Sequence, residues 1–227
     1  MDVLYVDNHL LVVNKPAGVL VQADRTGDPD LLTMGKAYLK EKFDKPGNVF
    51  LGLVHRLDRP ASGVMVFART SKGAARLSEQ FRQRSVEKRY LAVVEGVLRG
   101  GGIERDDIVV ENESVRIADS DGASEGKSAE LQWRSIDTED DQTLVDIQLK
   151  TGRKHQIRLQ LAALGHAILG DFRYGATREL DGKNLALHCY RLGFYHPTRK
   201  EWMVFNAAPS WGGRFDKAIR RVAYGED

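Results

Sequence analysis

The residues best suited to chemistry lie together in one stretch, His55-Arg56-Leu57-Asp58-Arg59-Pro60-Ala61-Ser62-Gly63. A single carboxylate, Asp58, stands between two arginines, Arg56 and Arg59. Neighbouring cations favour the ionised form of a carboxylate. An ionised aspartate is a poor general acid but serves as a nucleophile or weak base. The same residues also fit a loop aspartate that makes turn hydrogen bonds and a surface ion pair. Ser62 has no triad pattern around it. The chain carries no GxxxxGK[ST], no GxGxxG after a strand, no GxSxG and no kinase set, which removes most of the case for nucleotide or ester hydrolysis.

Elements that can hold this stretch are legible on both sides. Leu53-Val54 and Val64 to Ala68 are apolar runs separated by the Pro and Gly cluster, so strand, tight connection, strand is predicted. Upstream, Val3–Val6 and Leu10–Val13 read as a hairpin that ends at Asn14-Lys15-Pro16-Ala17-Gly18. Lys15 is either an exposed turn lysine or a cation facing an anionic ligand. Asp28-Pro29 predicts a helix start, with Asp28 as the cap, running to about Lys42. Ser71 predicts the cap of a helix over Lys72–Arg84, and Tyr90–Val94 a strand. From Val97 to Ser128 the pattern is poor and predicts loops around a β segment at Ile108–Ile117, with Asp119, Asp121 and Gly122 in a mixed-charge run. Ala129–Ile136 and Thr143–Leu149 predict a meander, and Leu185–Tyr195 and Glu201–Asn206 two further strands.

Thr151-Gly152-Arg153-Lys154 leads into a helix over about His155–Leu164 that Gly165 ends. Ile157, Leu161 and Leu164 form its core face. Arg158 falls beside that face and, by spacing alone, reads as a surface arginine. Pro209 predicts the opening of a last helix with Trp211, Phe215, Ile219 and Val222 inward. Arg214, Lys217, Arg220 and Arg221 form a basic stripe that reads most simply as a solvated face.

The 227 residues, 42% hydrophobic and 29% charged, are those of a globular chain of one large or two closely joined domains. One cysteine, Cys189, rules out an internal disulfide and fits a reducing compartment. Six histidines show no metal-binding spacing, so no metal site is expected. No run approaches a membrane span and the N-terminus lacks a secretory pattern, so a cytoplasmic protein is expected. The net charge of +2 is only mildly basic; a nucleic-acid partner would need the cations gathered on one face.

His55 to Gly63 closely resembles the HRLDxxxSG signature of the RluA family of RNA pseudouridine synthases. Val12–Val19 (VVNKPAGV), Glu87–Gly96 (EKRYLAVVEG) and Thr151–Gly175 (TGRKHQIRLQLAALGHAILGDFRYG) resemble that family in the same order. Four motifs at domain-sized spacing are far more specific than HRLD alone. Pattern reading reaches α+β with many strands. The resemblance implies the pseudouridine synthase fold: a mixed, mostly antiparallel β-sheet, flanking helices and a central RNA-binding cleft.

It also implies a reaction, the isomerisation of uridine to pseudouridine in tRNA or ribosomal RNA stem-loops. The uracil leaves N1, turns and rejoins the ribose through C5, with no redox change and no group donor, so no cofactor is expected. By resemblance Asp58 is the catalytic aspartate, attacking C1′ or C6 or acting through a glycal. Arg158 is the cation that pairs with it, and Tyr90 the aromatic partner of a flipped base. Stacking on an aromatic returns roughly 1–3 kcal/mol per base. The other reading of Tyr90 is a packed strand tyrosine.

Arg56 is expected to fill the gap left by the base, and its flat, multidonor group suits that role. His55 is expected to orient the loop. Lys15, Arg153 and Lys154 are expected phosphate contacts. With a motif this near the N-terminus, the S4 domain of larger relatives is not expected. A single catalytic domain over 1–227, acting as a monomer, is the expectation. An RNA-binding or chaperone protein of the same fold is the alternative, and a base methyltransferase would need a Gly-rich strand–helix junction that is absent.

Overall fold

The apolar run before Arg69 becomes the middle of a sheet. In a computed structural model, which describes residues 1–111, 114–118, 126–182, 184–211 and 213–226, strand β4 (Ser62–Ala68) is buried along its whole length. A continuous apolar run is what a strand covered on both faces requires. β1 (Asp2–Val6) pairs antiparallel with β2 (Leu10–Lys15), β2 with β4, and β3 (Gly52–Leu53) also with β4. β2 runs through Asn14 to Lys15, because both residues keep their register opposite Val64 and Gly63.

These strands belong to one of two compact units, Met1–Glu87 with Cys189–Pro209. Its sheet also holds β10 (Leu187–Tyr195), next to β4, and β11 (Trp202–Asn206), antiparallel to β10. Leu10, Val12, Val64 and Val66 share one face by period-two alternation and cluster with Leu77, Leu192 and Phe194.

Two helices complete this unit. α1 (Leu31–Lys42) buries Leu31 and Leu39. Its cap is Asp30, whose Oδ1 accepts from Thr33 N at 3.0 Å, and not the expected Asp28. Asp28 binds Arg59 instead, at 2.6 Å. α2 (Ser71–Arg82) is capped by Thr70, whose hydroxyl accepts from Gly73 N at 3.0 Å, one residue before the expected Ser71.

The second unit is Lys88–His188 with Ser210–Asp227. β5 (Glu87–Glu95), β9 (Gln142–Leu149), β8 (Lys127–Glu139), β6 (Gly101–Glu111) and β7 (Ser114–Ile117) follow one another across an antiparallel sheet. The expected loop region therefore contains a long strand. The first half of β6 alternates between exposed and half-buried residues, so it shows no clean apolar period. Asp119, Asp121 and Gly122 lie outside the described residues.

α3 (Gln156–Ala163) packs Leu159 against Ile108, Val115 and Ala129. The last helix does not open at Pro209: Gly213–Phe215 form a 3-10 turn and α4 (Asp216–Tyr224) follows. Gly213, at φ 51°, opens that turn, and glycine is costly in a helix. Arg214 pairs with Asp140, as a solvated basic face does. Among the described residues no helix is long and apolar enough to cross a membrane.

Candidate active site

The Asp58 loop is built from beneath by a lysine. Lys15 ends β2 with its side chain fully buried. Its Nζ donates to the carbonyls of Pro16 (3.0 Å), Arg59 (3.1 Å) and Ala61 (2.7 Å). Three ammonium donors thus meet three backbone acceptors, two of them on the loop that carries Asp58. Burial pulls the Lys15 pKa from 10.5 down to about 8; the Asp58 charge pulls it up and that of Arg59 down. The expected phosphate contact is corrected here. An ammonium with no exposure and all its donors used on carbonyls holds a loop and reaches no phosphate.

Other contacts close the same loop. Gly18 N donates to Arg59 O at 2.8 Å and Arg59 Nε to Gly18 O at 3.0 Å, so the chain after β2 and the Asp58 loop are laced in both directions. Ala61 N donates to Asp58 O at 3.1 Å, closing a turn at the aspartate itself. Leu57 and Ala61 are buried anchors on either side. His55 Nε2 accepts from Val66 N at 3.0 Å, and its ring stacks on Phe81 with centroids 4.6 Å apart. The histidine ties the loop to β4 and α2, as an orienting residue would. Asp58 itself is partly accessible and Arg56 exposed.

In the other unit, Arg158 is 7% exposed, so the reading of it as a surface arginine from spacing fails. Its Nε and Nη2 donate to Asp171 Oδ2 (2.6 Å) and Oδ1 (2.7 Å). This is a bidentate pair with both members buried, the geometry for which a guanidinium is suited. The Tyr174 ring lies 5.1 Å from its Cζ, and the Tyr174 hydroxyl bonds His155 Nδ1 at 2.8 Å. α3 is fixed by a chain of side-chain amides. Thr151 Oγ1 donates to Gln156 Oε1 (2.7 Å), Gln156 Nε2 to Gln160 Oε1 (3.0 Å), and Gln160 Nε2 to Asp106 Oδ2 (2.6 Å).

Tyr90 lies in β5 opposite Ile147 and is 7% exposed. Arg153 donates Nε to Ser128 O at 2.9 Å, and Lys154 is exposed. Asp58, Lys15, His55 and Arg56 are thus gathered in one unit, and Tyr90, Arg153, Lys154 and Arg158 belong to the other.

The family profile described as RNA pseudouridylate synthase matches residues 9–163. A ribosomal large subunit pseudouridine synthase D of Zymomonas mobilis is 34% identical over 222 residues, which cover 91% of this chain and 68% of the relative. The chain belongs to the RNA pseudouridylate synthase family. The enzyme of the same name from Xylella fastidiosa is 38% identical, over 88% of this chain and 63% of that protein. This chain thus spans about two thirds of the length of these relatives. The solved structure titled human RNA pseudouridylate synthase domain containing 4 shares the fold, with a TM-score of 0.79 at 24% identity over 96% of this chain and 93% of that one.

As an RNA pseudouridine synthase, the chain is an isomerase whose substrate is uridine in RNA. The loop laced by Lys15 is the family's HRLD stretch, and the clamped arginine lies in its HQIR stretch. Asp171, the carboxylate that clamps Arg158, is not singled out by the sequence reading. It stands in the Gly170-Asp171-Phe172-Arg173-Tyr174-Gly175 run, within the Thr151–Gly175 stretch that resembles the family, which was the signal that could have found it.

Proposed function

We propose that the chain converts one or a few uridines of structured RNA, in a large-subunit ribosomal RNA or a tRNA stem-loop, using Asp58 as the catalytic carboxylate. The ribosomal assignment rests on the names of the Zymomonas and Xylella relatives. The observation that carries the Asp58 reading is the loop itself. A fully buried ammonium, spent on the carbonyls around one aspartate, fixes that aspartate's backbone in one conformation. Pre-organisation of this kind is what a reacting group needs, since small displacements are costly in rate.

In this reading Arg158 supports the carboxylate charge and Tyr90 stacks on the extruded uracil. Arg56, Arg153 and Lys154 meet the RNA. Loops and bulges are the favoured targets, because a base is extruded from them at low cost. The uracil returns to the ribose through C5, which gives up its hydrogen while N1 gains a proton, so the atoms of the nucleotide are unchanged in number.

The test is pseudouridine mapping on total RNA from cells lacking the gene, with wild type or Asp58→Ala restored. Loss of a small set of sites, regained only with wild type, is the expected result. Full restoration by Asp58→Ala overturns the catalytic assignment.

A further inference from the structure

We infer that Asp171 is a positioning residue for the reaction, fixing the guanidinium of Arg158 in the plane and direction from which it acts. The inference rests on the reading of Arg158 as the cation of the catalytic aspartate. The two oxygens of Asp171 take Nε and Nη2, at 2.6 and 2.7 Å, which leaves the group no freedom to rotate about its own plane. Tyr174 covers one face of the guanidinium. The Tyr174 hydroxyl is in turn held by Nδ1 of His155, which enters α3 in the left-handed region at φ 55°. A non-glycine residue there carries local strain.

Asp171 is itself locked. Its N–H donates to Ile168 O, and its carbonyl accepts from Tyr174 N and Ala176 N. Gly170 N closes the loop onto Arg178 O at 3.0 Å. Gly170 has φ 87°, and a Cβ there would lie 2.3 Å from Asn184 O, so only glycine fits. At the far end, both carboxylate oxygens of Glu95 accept from Thr177 N, and one also accepts from Arg178 N. A buried carboxylate with its backbone tied on both sides is a fixed reference, and the arginine is registered against it.

The experiment has two parts. First, the Arg158 Nε–H resonance of wild-type protein, assigned by its loss in Arg158→Lys, is followed for exchange with water. Slow exchange, becoming fast in Asp171→Asn, is expected; fast exchange in wild type overturns the inference without any variant of Asp171.

Second, single-turnover pseudouridine formation is measured on bulk RNA from the deletion strain, alongside affinity for that RNA. Asp171→Asn is expected to slow the step by roughly 10²-fold, the loss from misplacing a group by about an ångström, with affinity unchanged. Arg158→Lys with Asp171→Asn is expected to be no slower than Arg158→Lys alone. If Arg158→Lys is slow while Asp171→Asn runs at the wild-type rate, the inference fails alone. If Arg158→Lys itself runs at the wild-type rate, the reading of Arg158 fails beneath it.

Discussion

Lys15 is the residue for which the structure departs furthest from the pattern. A lysine before Pro-Ala-Gly reads as exposed, and no local signal says that the chain returns to cover it. Its burial comes from carbonyls contributed more than forty positions later. The two roles make opposite predictions. A phosphate contact replaced by methionine lowers RNA affinity and the salt slope of binding by about one. A buried loop-holding lysine leaves the salt slope unchanged, and Lys15→Met costs stability, about 3 kcal/mol for carbonyls left unpaired. Unfolding in urea and RNA binding at several salt concentrations separate the two.

The pH dependence has a definite sign. The folded value of about 8 lies below the unfolded 10.5. Below pH 8 both states hold the proton and the contribution is flat. Between 8 and 10.5 the unfolded chain binds more protons, so the contribution of Lys15 to stability rises with pH. The gap between wild type and Lys15→Met is expected to widen over that window. The burial of Arg158 was illegible from helical spacing for a related reason, since its carboxylate partner lies in a non-helical loop; only the family resemblance singled the residue out.

At the scale of elements, the strands with clean periods were legible and those without were not. β4 and β9 were readable because their residues are buried almost throughout. β6 was not, because solvent takes one side of its first half. Helix ends moved by one or two residues where a neighbouring side chain made the capping bond, as at Asp30 and Thr70. The junction from the Asp58 loop into β4 was marked by the cluster from Pro60 to Gly63.

Gly63 adopts φ 129°, and a Cβ there would lie 2.4 Å from Cys189 N and 2.5 Å from Cys189 O. Backbone meets backbone at this point, so no rotamer change relieves the clash. Gly63→Ala is expected to lose more than about 3 kcal/mol, the range of overpacking combined with an unfavourable dihedral. Thermal unfolding checks this. A loss under about 1 kcal/mol means that β4 and β10 separate more readily than the packing at Gly63 implies.

For the whole molecule, the chain builds its first unit from two distant segments, Met1–Glu87 and Cys189–Pro209. Sequence order hides such a return, and the core residues Leu192, Phe194 and Ala207, clustered with Leu10 and Val64, reveal it. A polar closure accompanies the apolar one. Asp7, in the β1–β2 turn, accepts from His9 N and Leu10 N at 2.8 Å, from Tyr5 Oη at 2.9 Å, and meets His196 Nε2 at 2.9 Å. Nδ1 of His196 accepts from Arg199 N at 3.0 Å, which leaves Nε2 to donate to Asp7. One carboxylate therefore joins the first hairpin to the β10–β11 turn.

Burial pushes the Asp7 carboxyl up, but its hydrogen bonds from His9, Tyr5, Leu10 and His196 outweigh burial and set it below the usual 3.8. A folded value below the unfolded one contributes stability above about pH 4, which is lost as the pH falls through the folded value. Asp7→Asn keeps the shape and removes the charge. It is expected to be less stable than wild type at pH 6, with the gap closing below pH 4 as wild type loses the same charge. Urea unfolding at both pH values measures it. A gap that stays constant down to pH 3 means that the hydrogen-bond geometry, and not the ionised carboxylate, holds the two segments together.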